Sequence, residues 1–104
     1  MEAILVMVTA SSEEEAVRIG RTLVEERLAA CTNVIPGMRS LYAWEGNLKD
    51  EEEVLILMKT RRSHFSDLMK RVKQLHSYAV PEIIALPIVA GSEEYLAWID
   101  ASTS

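Results

Sequence analysis

The stretch from Cys31 to Thr60, CTNVIPGMRSLYAWEGNLKDEEEVLILMKT, decides the fold. It begins with an apolar segment, Cys31 to Ile35, that reads as a strand and is interrupted by the turn signal Pro36-Gly37. From Met38 to Trp44 the pattern is extended again, with Leu41, Tyr42 and Trp44. Glu45-Gly46-Asn47 predicts a hairpin turn. The chain then returns as Glu53 to Thr60, where Val54, Leu55, Ile56, Leu57 and Met58 are apolar in succession.

The flanks of this hairpin complete the pattern. Upstream, Ala3 to Val8 is a partly β-branched apolar run that suits a buried strand. Ser11 with Glu14 forms a capping box for a helix expected to reach about Leu28, burying Ala16, Ile19 and Leu23. Downstream, Phe65, Leu68, Met69, Val72 and Leu75 recur at helical spacing. Ile83 to Ile88 reads as a strand whose Pro87 marks an edge or a bulge. Gly91-Ser92 opens a short last helix from Glu93 to Asp100.

Counting Cys31 to Trp44 as one bent strand, the order is β-α-β-β-α-β-α. The simplest architecture is α+β, a ferredoxin-like split βαβ sandwich in one domain spanning 1–104. Right-handed crossovers place both main helices on one face of the sheet. The strands at Ala3, Val54 and Ile83 are nevertheless apolar at consecutive positions, so both of their faces require burial. The short last helix is too small to cover the second face, and self-association is the expected remedy.

Composition narrows the function. The chain has 104 residues, 49% hydrophobic and 26% charged, as in an ordinary folded domain. Its 11 basic and 16 acidic residues give a net charge of −5, against any role in coating nucleic acid. No apolar run approaches the ~20 residues of a membrane span, and the start lacks the basic region of a signal peptide. A soluble, cytoplasmic protein with neither nucleic-acid nor membrane partners is expected. The single cysteine, Cys31, rules out an internal disulfide and reads as a small buried hydrophobe.

Signs of catalysis are absent from the motifs: there is no Gly-rich phosphate loop and no nucleophile elbow. Lys59, Arg61, Arg62, Lys70, Arg71 and Lys73 form a basic segment, read as a solvated face ahead of an anion site. The acidic run Asp50 to Glu53 reads as a charged edge guarding against wrong strand pairing. His64 is expected to be exposed in the first turn of the second helix. His76, in LHSYAVPE, either caps that helix or joins Tyr78 and Glu82 in a pocket or around a borderline metal ion.

These residues resemble the CutA divalent-cation tolerance family in several blocks. The blocks are VEERLAACTN (24–33), IPG (35–37), YAWEG (42–46), LMKT (57–60), His76 through PEIIALPI (81–88), and YLAWI (95–99). The resemblance implies a homotrimer with sheets packed inward and association with copper(II) or another divalent cation; with no catalytic motif in the sequence, no enzymatic activity is expected. It also implies intersubunit clefts, onto which Tyr42, Trp44, Lys59, Tyr78, Glu82 and Tyr95 are carried, with His76 as the metal ligand. Val8 stands where copper-ligating relatives carry a cysteine, Leu75 where they carry a second histidine, Ser77 where a proline is usual, and Ser11 in place of a further proline. Metal binding weaker and more labile than theirs follows. Two other readings remain from different classes: a PII-like trimeric signalling module binding a small anionic effector, and an acylphosphatase-type enzyme on the same fold.

Overall fold

Alternation along β1 (Ala3–Ala10) sorts its apolar residues onto two faces. Ile4, Val6, Val8 and Ala10 turn toward the helices; Leu5 and Met7 turn away. The computed structural model describes residues 1–104 and places six further elements around this strand. After β1 come α1 (Glu13–Glu25), β2 (Cys31–Trp44), β3 (Asn47–Arg61), α2 (Phe65–Leu75), β4 (Ile83–Pro87) and α3 (Glu93–Ser102). A single 3-10 turn, Arg62–His64, leads into α2. The sheet order is β2-β3-β1-β4 with every neighbouring pair antiparallel, the expected ferredoxin-like arrangement.

Both long helices pack on one face. Ala16, Ile19 and Leu23 from α1 and Leu68 and Val72 from α2 close over Ile4, Val6, Val8, Val54, Ile56 and Met58. Each large aliphatic side chain buried there contributes roughly 1.5–3 kcal/mol. Gly20 lets α1 approach β2 closely, since a Cβ at this position would stand 2.7 Å from Thr32 Oγ1.

The N-cap of α1 lies one residue later than the spacing predicts. Ser12 Oγ accepts the Glu15 amide at 3.1 Å, and Glu15, not Glu14, turns back to the chain before the helix. The helix also stops at Glu25, short of Leu28. Arg27 takes φ 62°, and the amides of Leu28 and Arg27 bond the carbonyls of Leu23 and Val24, a Schellman closure without its usual glycine. The Arg27 guanidinium reaches the carbonyls of Ala101 and Ser104, which holds that conformation.

Pro36-Gly37 interrupts the ladder without ending the strand: the β2–β3 register shifts between Ile35 and Met38, then continues to Trp44. Glu45 and Gly46, at φ 51° and 80°, form the two-residue turn. β3 begins at Asn47, well before Glu53, because the acidic run pairs with β2 instead of looping. Since β1 reaches only Val54, residues 38–53 extend beyond the sheet as a two-stranded arm, and the molecule measures 44 × 25 × 22 Å. β4 is an edge strand, as Pro87 predicts.

The second face is largely open. Leu5 and Met7 lie beside Leu57, Ile84 and Leu86, and Ile35 beside Leu55. Ile84 and Leu86 are half exposed. α3 covers only the Arg61 end, where Arg61 bonds Thr103 Oγ1 at 3.0 Å and the Asp100 carbonyl at 2.6 Å. No helix is long and apolar enough to cross a membrane.

Candidate functional site

A groove of about 650 Å³ opens where the arm leaves the sheet. β3 supplies Glu51 and Glu53, two residues apart and therefore on one face of the strand. β2 supplies Ser40, Leu41, Tyr42 and Trp44, and the segment after α2 supplies Tyr78, Ala79, Val80 and Glu82. Thr9, near the end of β1, completes the wall.

Two phenols are held against the acids of β3. Tyr78 donates to Glu53 Oε2 at 2.9 Å, and Tyr42 donates to Glu51 Oε1. Burial, then the bond to Glu53, then the negative charges of Glu53, Glu51 and Glu15 push the Tyr78 hydroxyl well above its usual range. The bond to Glu51 raises the Tyr42 hydroxyl, aided by desolvation. Both remain protonated donors at neutral pH.

His76 lies behind the groove with no exposed side-chain surface. Its Nε2 is 2.7 Å from the Thr9 carbonyl, which can only accept, so Nε2 carries the proton. Nδ1 accepts the Tyr78 amide at 3.0 Å. Both nitrogens are thus committed, and the imidazole fixes Tyr78, whose ring lies 4.7 Å away. In this chain His76 sits at the C-cap of α2 and acts as a positioning residue. The segment is further anchored by Glu15, which accepts the Ser77 amide at 2.8 Å and both the amide and hydroxyl of Ser11. Burial alone would raise the Glu15 carboxyl, but these bonds outweigh it and hold its pKa at about 2.

The groove therefore gathers Tyr42, Trp44, Tyr78 and Glu82 of the predicted residues, with His76 behind them. Lys59 and Tyr95 lie elsewhere, on the open sheet face. Lys59 Nζ bonds Asn33 Oδ1 at 2.6 Å and stands 5.9 Å from the Tyr95 ring centroid. Cys31, half-buried, is beside it, with Sγ 3.9 Å from Nζ. Half of the basic segment is paired: Arg61 with Asp100, Arg62 with Glu2, and Arg71 with Glu26. His64, expected to be exposed, is half-buried with Nε2 against the Thr103 carbonyl. Sequence reasoning missed Glu51 and Glu53 as groove residues; their spacing within the acidic run was the available signal.

A metal ion fits one chain poorly. No three His, Cys, Asp or Glu side chains converge around a common point, and the only nearby imidazole has no free lone pair. The donors facing the groove are carboxylate and phenol oxygens, which suit hard or borderline divalent ions held loosely.

Residues 4–102 match the family described as CutA1 divalent ion tolerance protein. A relative from Thermus thermophilus named divalent-cation tolerance protein CutA is 50% identical over 99 residues, covering 95% of this chain and 96% of its own length. The solved structure described as the divalent cation tolerance protein Cut A1 from that organism superposes with a TM-score of 0.96 at 49% identity, over 98% of this chain and 99% of the other. CutA1 from Oryza sativa gives a TM-score of 0.97 at 42% identity, over 100% of this chain and 95% of the other.

Proposed function

The chain belongs to the CutA1 divalent ion tolerance protein family, and from that membership we propose that it acts as a homotrimer that binds divalent cations weakly, copper(II) among them, in metal tolerance. The observation that carries the proposal is the charge of the groove. Of its eleven lining residues, Glu51, Glu53 and Glu82 are carboxylates and none is basic. Such a cleft concentrates cations and repels anions. The acidity also disfavours a PII-like anionic effector here, and the arginines that could serve one are engaged in ion pairs.

Two features support the trimer. The open sheet face offers apolar side chains from β1, β3, β4 and β2 that a second copy would bury, and sheets packed inward are the simplest way to do so. The arm is a two-stranded ribbon, a form marginal in water unless something packs on it. A neighbouring copy placed against the arm would supply the coordinating groups that one chain lacks. A binding role, not catalysis, accords with tolerance, and we take the compartment to be the cytoplasm.

Calorimetric titration of chelator-stripped protein with copper(II) tests the proposal. Saturable uptake at a fixed number of ions per trimer, lost in Glu53→Gln and Glu82→Gln, is expected. Absence of uptake, or uptake unaffected by both substitutions, contradicts it.

A further inference from the structure

Glu53 lacks a cationic partner. It is only 9% exposed, yet the sole hydrogen bond to its carboxylate is that from the Tyr78 hydroxyl to Oε2. No Lys, Arg or His of the chain lies within ion-pair distance of it. A carboxylate withdrawn this far from water ordinarily has a charged partner, because one neutral phenol repays little of the lost hydration. Oε1 is not sealed off, since every fully buried polar side-chain atom in the molecule is hydrogen-bonded. It therefore opens toward the groove that Glu53 lines.

The walls above Glu53 are unsuited to a small, naked ion. Leu41, Tyr42, Trp44, Ala79 and Val80 make the groove more apolar than polar, and Trp44 is 49% exposed beside it. Exposed aromatic faces next to unpaired carboxylates attract a positive charge carried on an apolar body: the ring quadrupole draws the cation and the ring surface buries the carbon skeleton. A cavity of about 650 Å³ has the volume of a small-molecule site.

From these contacts we infer that the groove binds a small organic amine in its ammonium form. The ammonium group donates to Glu53 Oε1 with Glu82 nearby, and the hydrocarbon part lies against Trp44 and Tyr42. The inference rests on the reading of the groove as a cation site and differs from it in the kind of cation. A basic side chain of a neighbouring copy could instead supply the same charge, and that source would leave no room for a free amine.

The test is calorimetric titration of the intact protein with phenethylamine, its neutral isostere 2-phenylethanol, and copper(II). The inference expects saturable phenethylamine binding, at least about tenfold weaker binding of the alcohol, and a comparable loss in Glu53→Gln. Trp44→Leu should also weaken the amine, because the ring face that holds the hydrocarbon part is lost. No saturable amine binding, or equal binding of amine and alcohol, overturns the inference. Copper uptake without amine binding defeats the inference alone; amine binding without copper uptake defeats only the metal reading.

Discussion

Glu15 Oε2 accepts the backbone N–H of Ser77 at 2.8 Å, although the two residues are 62 positions apart. One carboxylate thus caps the chain before α1 and pins the segment that carries Tyr78 into the groove. Its pKa is about 2 in the folded protein against an ordinary 4.5. Because the folded value is the lower, the stabilisation is complete above about pH 4.5 and is lost as pH falls toward 2. The amount at stake is on the order of 3 kcal/mol. Urea unfolding at fixed protein concentration should show this acid-side loss in the native chain and a much flatter profile in Glu15→Gln. An unchanged pH dependence in the variant would remove Glu15 from this role.

His76→Ala should destabilise the protein by about 2–4 kcal/mol, since it leaves a cavity and frees the Thr9 carbonyl and the Tyr78 amide. Copper bound per folded trimer should change little, because neither nitrogen is available as a ligand. Thermal unfolding and metal analysis on the same sample check both statements. Stoichiometric loss of copper with unchanged stability would restore the histidine as a ligand.

Gly20→Ala should destabilise by about 1–3 kcal/mol although alanine favours helix by roughly 1 kcal/mol, because the new methyl group meets Thr32 Oγ1. The double variant with Thr32→Ala should recover part of the loss. Chemical denaturation of the two proteins decides the matter; a stabilised single variant would mean that α1 can shift without cost.

The legible part of the fold was what local chemistry dictates. Glu45-Gly46 can close only a tight hairpin, Pro87 cannot sit in a central strand, and consecutive apolar residues in β1 and β3 require two covered faces. The misplaced boundaries depend on contacts across the chain. Ser11 and Ser12 are equally good caps, with Glu14 and Glu15 at matching spacings; Ser77 decides between them by bonding Glu15. Arg27 ends α1 in a backbone conformation that glycine would advertise, held by carbonyls of α3 and the C-terminus. Asp50 to Glu53 have low strand propensity, yet they pair because β2 runs opposite and Arg39 clasps Asp50 through two bonds of 2.7 Å. In the site, Tyr42, Trp44, Tyr78 and Glu82 line one groove of a single chain. The setting of His76 was not legible, because what occupies its nitrogens is the backbone of Thr9 and Tyr78, which no spacing reveals.

Ile84→Asp, on the edge strand of the open face, should convert an oligomer into a monomer by placing a charge where apolar contact is required. The native chain should in turn melt at unusually high temperature, rising with protein concentration because unfolding and dissociation are coupled. Sedimentation velocity and a dilution series of melting curves check this. A concentration-independent melting temperature, or a folded monomer on dilution of the native chain, would refute self-association.

Native mass spectrometry of the metal-stripped protein during a copper(II) titration, with Glu53→Gln alongside, bears most directly on the account. It predicts a trimer that takes up a fixed number of ions, and a Glu53→Gln trimer that does not. A monomer, or a trimer whose copper uptake is indifferent to Glu53, would contradict it.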